Sequence, residues 1–70
     1  MNVKINLAPI ERFIAKNGMT YKAFCDHCHI STATLRKIRR KQYVRMTTML
    51  YISINICCNL SDIVEEIIEN

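Results

Sequence analysis

Seventy residues with one Gly, one Pro and half of the positions hydrophobic describe a single domain over residues 1–70, not a disordered tail. A chain of that length buries only about 60% of its unfolded surface, which leaves a small core and excludes the deep cleft of a typical enzyme. Its net charge of +4 conceals a division: residues 1–45 hold all ten basic residues against Glu11 and Asp26, giving +8, while residues 46–70 hold four acids and no Lys or Arg, giving −4. The basic part is a footprint for a polyanion, and the acidic part is expected to be repelled from that same surface.

The first predicted element is a helix from Leu7 to Asn17, with Asn6 as its cap, Pro9 in its first turn and Ile10, Phe13 and Ile14 as one apolar stripe. Asn17-Gly18 stops it, because Gly18 can take the left-handed conformation that closes a helix. Thr20 caps a second helix running to about His27, with Ala23, Phe24 and Cys28 facing inward. Ser31 caps a third, ending near Arg39 or Arg40 and anchored inward by Leu35 and Ile38. Only the short corner His27–Ile30 separates the two, which is the length of a helix-turn-helix. Residues 41–46 read as a charged connection.

The fourth segment admits two periods. Ile52, Ile54 and Ile56 alternate as in a strand, yet Met49, Ile52 and Ile56 also share one helical face, with Thr47-Thr48 available as a cap. A helix is the preferred reading, because a lone strand needs a partner and Val3-Lys4-Ile5 is the only short stretch on offer. Leu60, Ile63, Val64 and Ile67 then form the stripe of a fifth helix, capped by Asn59 or Ser61. The expected fold class is therefore all-α, a compact five-helix bundle.

Export and membrane insertion are not expected. The start of the chain lacks a charged segment leading into an apolar run and a cleavage site. The most apolar window, Met49–Cys58, is ten residues long and includes Ser53 and Asn55, against the roughly 20 residues of a membrane span. The four cysteines then read as reduced, buried thiols in a cytoplasm.

A short helix, a tight corner and a cation-rich helix form the arrangement that pushes one helix into the major groove of double-stranded DNA. With Leu35 and Ile38 in the core, Thr32, Arg36 and Lys37 must project from the opposite side near the helix start. The run from Met19-Thr20 through Phe24-Cys25, Ile30-Ser31, Leu35 and Ile38 to Cys58-Asn-Leu-Ser-Asp-Ile-Val64 resembles the Cro-like, lambda-repressor-like (XRE) helix-turn-helix family of transcriptional regulators, over roughly residues 8–68.

The resemblance implies base-contacting positions at Thr32, Ala33, Arg36 and Lys37. Arg can pair bidentately with guanine, Lys can reach the same edge, and Ala33 or the Thr32 methyl can meet a thymine methyl. It also implies phosphate contacts at the start of the second helix, where Thr20, Tyr21 and Lys22 lie, with Tyr21 in place of the common Gln and its hydroxyl available to a phosphate oxygen. Arg39, Arg40, Lys41 and Arg45 are expected to clasp the backbone beyond the third helix. The chain departs from the family at two usual glycines, carrying His29 at the corner and Lys41 after the third helix. His29 is among the non-glycine residues that tolerate positive φ.

Cys25-Asp26-His27-Cys28-His29 matches a haem-attachment spacing, but it falls on a helix and a corner of a chain with no export signal. A metal or thiol sensor built around Cys25 and Cys28 is an alternative reading, a zinc site taking those two, a neighbouring His and Cys57 or Cys58. Small buried hydrophobes suffice to explain the same cysteines. No metal, cofactor or small-molecule ligand is expected, and no catalytic group is evident.

If Met49, Ile52 and Ile56 face the core, Leu50, Ile54 and Cys57 make a second apolar stripe, expected to form a homodimer interface or to hold another protein as antitoxin-like modules do. The sequence thus predicts a dimeric, sequence-specific DNA-binding regulator, acting as a repressor and not as an enzyme.

Overall fold

The computed structural model describes residues 1–69, in the order β1 (Asn2–Ile5), α1 (Leu7–Asn17), α2 (Tyr21–Cys28), α3 (Thr32–Arg39), β2 (Val44–Arg45), α4 (Met46–Asn55), α5 (Leu60–Ile63) and β3 (Val64–Ile68). Three side chains fix where the first three helices begin. Asn6 Oδ1 accepts from the Ala8 N–H, Thr20 Oγ1 from that of Ala23 and Ser31 Oγ from that of Thr34, each at 3.1 Å. Each such cap stabilises its helix by about 1 kcal/mol, by satisfying an N–H that the helix cannot.

The helix ends follow the same logic in reverse. Gly18 closes α1 at φ 60°, and its N–H reaches the Ala15 carbonyl. His29 closes α2 at φ 57°, and Lys41 follows α3 at φ 61°. Both positions where a glycine is usual therefore take the left-handed conformation without one, and their N–H groups are bonded to Asp26 and Ile38. The strain is local, and the corner keeps its geometry.

The expected all-α class is corrected by a three-stranded sheet ordered β2-β1-β3, with both pairings antiparallel. Val3 and Ile5 are fully buried while Asn2 and Lys4 point outward, so β1 has the alternation of a half-buried strand. A strand at that depth must satisfy its backbone on both sides. Val44 pairs with Val3 on one side; Ile67 and Val64 pair with Val3 and Ile5 on the other.

The predicted fifth helix is accordingly cut to the four residues of α5, and Val64 and Ile67 belong to β3. The apolar spacing of 60, 63, 64 and 67 suits a helix locally. β1, at the other end of the chain but adjacent in space, offers an unpaired edge that the β-branched residues of 64–68 fill better. The switch is pinned where the Asn6 N–H donates to the Ile63 carbonyl at 2.7 Å.

β2 also replaces part of the expected connection 41–46, and it changes how α4 starts. Thr47 and Thr48 do not cap this helix; Arg45 is its N-cap residue and makes no side-chain cap bond. The Met46 N–H instead donates to the Met1 carbonyl at 3.2 Å, so the sheet supplies what a threonine hydroxyl was expected to supply.

The helical reading of the fourth segment holds. Met49 and Ile52 are buried, with Ile56 just past the helix end, and they join Phe24, Leu35 and Ile38 in one core. Each fully buried isoleucine contributes roughly 1.5–3 kcal/mol through removal of apolar surface from water. Among the described residues, no helix is long and apolar enough to cross a membrane.

Candidate nucleic-acid interface

The direction of α3 is set by Leu35, 3% exposed, and Ile38, fully buried. At 3.6 residues per turn, docking those two leaves Ala33, Arg36, Lys37 and Arg40 on the far side, with Thr32 and Arg39 along the flank toward α2. Thr32, Ala33, Arg36 and Lys37 are all exposed, so the four positions singled out for base contact share one free surface. Among the described residues, none of Lys22, Arg36, Lys37, Arg39, Arg40 and Arg45 is in an ion pair with a carboxylate. An uncompensated cationic ridge on a protruding helix attracts phosphate from a distance and has its donors unoccupied on arrival.

Tyr21 departs from its expected role. Its hydroxyl donates to both carboxylate oxygens of Glu11, at 3.1 and 3.2 Å, and so already has an acceptor within the chain. The Arg39 guanidinium lies over the Tyr21 ring at 4.3 Å from its centroid. Glu11 on α1, Tyr21 on α2 and Arg39 on α3 thereby form one chain across three helices. Arg39 lines two adjoining clefts, one shared with Tyr21, Thr32 and Arg36, the other with Glu11, Arg36 and Arg40. Glu11 was missed in the sequence. Its only signal there is that it is one of two acids in the basic part of the chain.

The remaining phosphate candidates divide. Thr20 and Lys22 are exposed at the start of α2, where free N–H groups favour an anion. Arg40 is exposed at the end of α3, and Arg45 is exposed beside α4. Lys41 is engaged, with its Nζ 3.2 Å from Glu65 on β3.

The acidic part of the chain is not simply held away from the basic part. Glu66 pairs with Lys4 at 3.7 Å and accepts the Tyr43 hydroxyl at 2.6 Å, a bond that raises the Tyr43 pKa. Lys4 in turn sits 5.0 Å above the Tyr43 ring.

The cysteines are distributed between core and surface. Cys25 and Cys28 are buried; burial raises both thiol pKa values, with Asp26 adding to the first, and Cys28, beside Cys25, is pushed up to about 11. A neutral thiol is a poor nucleophile and a poor metal ligand. Among the described residues, no three His, Cys, Asp or Glu side chains converge on a place that could hold a metal ion. His27 stacks on Phe13 at 5.6 Å, with its Nε2 3.2 Å from the Asn55 carbonyl, so it fastens α2 to α1 and α4.

The second apolar stripe is present on α4. Leu50 is 36% and Ile54 71% exposed, Tyr51 joins them at 61%, and Cys57 follows past the helix end at φ 54°. Tyr51 was not foreseen, although it lies one residue from Leu50 on the same turn.

Comparison with known proteins agrees with this geometry. The family model of the Cro/C1-type HTH DNA-binding domain matches residues 9–67. The sequence matches no curated protein. The fold is similar to that in the crystal structure of transcriptional regulator VanUg (Form II), with a TM-score of 0.71 and 19% identity, covering 99% of this chain and 92% of that one.

Proposed function

Because the chain belongs to the Cro/C1-type helix-turn-helix DNA-binding family, we propose that it regulates transcription by laying α3 in the major groove of a specific duplex site, as a repressor acting through a homodimer. The observation that carries this reading is the docking of Leu35 and Ile38, which leaves Thr32, Ala33, Arg36 and Lys37 exposed together on a cationic helix. Arg36 pairs with a guanine edge, Lys37 reaches a neighbouring base, and Thr32 and Ala33 supply apolar contacts to thymine methyls. Thr20, Lys22, Arg39, Arg40, Lys41 and Arg45 hold the phosphates on either side.

A single domain of this size buries too little DNA to be selective, and two copies spaced one helical turn apart are the usual remedy. The exposed Leu50, Tyr51 and Ile54 support association through α4, a helix with no charged side chain to repel its copy. The same face could instead hold a different protein, as in an antitoxin-like module, and solution mass separates the two.

Selection of bound sequences from random duplex DNA tests the scheme. The expected result is a two-fold symmetric site that loses its preference at one position in Arg36→Ala, a contact worth about 1–3 kcal/mol. Six phosphate contacts would give a log–log salt slope of roughly −5. Uniform weakening across all sequences would demote Arg36 to a phosphate contact, and no binding at low salt would remove the function.

A further inference from the structure

We infer that Glu11 and Tyr21 are positioning residues for Arg39: they hold its guanidinium ready for a DNA backbone phosphate before the duplex arrives. This rests on the DNA-binding reading above and adds to it a division of labour that α3 alone does not contain.

An arginine on an exposed helix surface samples many rotamers and must lose that freedom when it clamps a phosphate. The Arg39 guanidinium carbon lies over an aromatic ring, 4.3 Å from its centroid, so the ring restricts where that side chain can go. The ring takes none of its five N–H donors as a hydrogen-bond acceptor would, so they stay available to a phosphate. The ring is itself fixed, because the Tyr21 hydroxyl is shared between the two Glu11 oxygens at 3.1 and 3.2 Å. Tyr21 is still 37% exposed, which keeps the stack at the surface where a duplex can reach it.

Placement favours a phosphate over a base. Arg39 is the last residue of α3, and bases are read by residues near the start of a recognition helix. It stands beside the start of α2, where Thr20 and Lys22 are exposed, so the stack completes an anion-facing edge formed by two helices.

The arrangement also explains the one acid in the middle of that surface. Taken alone, Glu11 beside Arg36, Arg39 and Arg40 would repel phosphate. Its carboxylate is partly satisfied by the Tyr21 hydroxyl, which holds it at the hydroxyl end of the ring. The charge serves to orient the ring that orients Arg39.

A double-mutant cycle on the full chain tests this, with Tyr21→Leu, Arg39→Ala and the pair, measured by fluorescence anisotropy on the selected duplex over a range of salt. Tyr21→Leu should weaken binding about three- to ten-fold, the range expected for freezing one rotamer-rich side chain, and leave the salt slope unchanged, since no charge is lost. Arg39→Ala should reduce the magnitude of the slope by about one. The pair should bind no more weakly than Arg39→Ala alone. Base preferences should be the same in all variants.

Additive losses would overturn the inference, as would an Arg39→Ala variant that binds like the parent. Should Tyr21→Leu fail to fold, Tyr21→Phe keeps the ring but frees it from Glu11. NMR of that variant should then show Arg39 side-chain protons moving toward unstacked shifts, and unchanged shifts would count against the role given to Glu11. Failure of the parent chain to bind any duplex would instead overturn the functional reading, and the inference with it.

Discussion

Lys41, held in the left-handed conformation at φ 61° just beyond the recognition helix, is paired at 3.2 Å with Glu65 of β3. If Lys41 contacts a DNA phosphate as proposed, this carboxylate from the last strand is the group the phosphate must displace.

Freeing that lysine should tighten DNA binding. Both side chains are about half exposed, at 53% and 42%, so the pair is worth no more than about 1 kcal/mol. Glu65→Gln is expected to raise affinity roughly two- to five-fold at low salt, with the gain fading as salt is added. Glu69→Gln removes the same charge from a neighbouring exposed position and serves as the control. Equal gains in both variants would show that only net charge matters.

Relieving the corner should stabilise the fold. His29 sits at φ 57° and is exposed, so glycine there removes steric strain without deleting a buried contact. His29→Gly is expected to add about 1 kcal/mol in urea unfolding, and His29→Ala, which keeps the strain, should add nothing. Lys41→Gly should gain less, because the ion pair with Glu65 is lost with the side chain.

Stability should decline in alkaline solution through Cys28. Its thiol is pushed from 9.0 to about 11 in the folded state, mainly by burial. Between those values the unfolded chain loses its proton first, so folding free energy falls as pH rises, by up to about 1.4 kcal/mol per pH unit for this one group. Below pH 9 the contribution is fully present. Cys28→Ala should lower stability overall and flatten this decline; an unchanged slope would exclude Cys28 as its source. In the native protein, alkylation should reach the exposed Cys57 before the buried Cys25 and Cys28.

Disrupting the α4 face should separate association from folding. Ile54 is 71% exposed, so Ile54→Asp is expected to change monomer stability by no more than about 0.5 kcal/mol. Light scattering should show the mass falling from dimer to monomer, with weaker binding to a two-half-site duplex. A parent chain already monomeric at high concentration would remove α4 as a dimer surface. Ile5→Ala offers the contrast: Ile5 is fully buried in the central strand, and its truncation should cost about 2–5 kcal/mol.

The first three helices were legible because their signals are local. Asn6, Thr20 and Ser31 each bond an N–H two or three residues ahead, and no distant part of the chain alters that geometry. The outward face of α3 was legible for a related reason: once Leu35 and Ile38 are apolar at helical spacing, the remaining positions have only one side left to occupy. The positive φ at His29 and Lys41 falls at the two positions that the family resemblance marked as usual glycines.

What the chain's order of residues determined by itself, then, is the helix-turn-helix and the cationic side it presents, since capping and periodicity act within a few residues. Tertiary structure alone decided the sheet, the shortened last helix and the Glu11–Tyr21–Arg39 chain. Strand pairing joins Val3 to Ile67, and the tyrosine joins residues ten and eighteen positions away, so neither leaves a periodic trace. The apolar spacing of residues 64–68 favours a helix locally, and the open edge of β1 overrides it to form a strand.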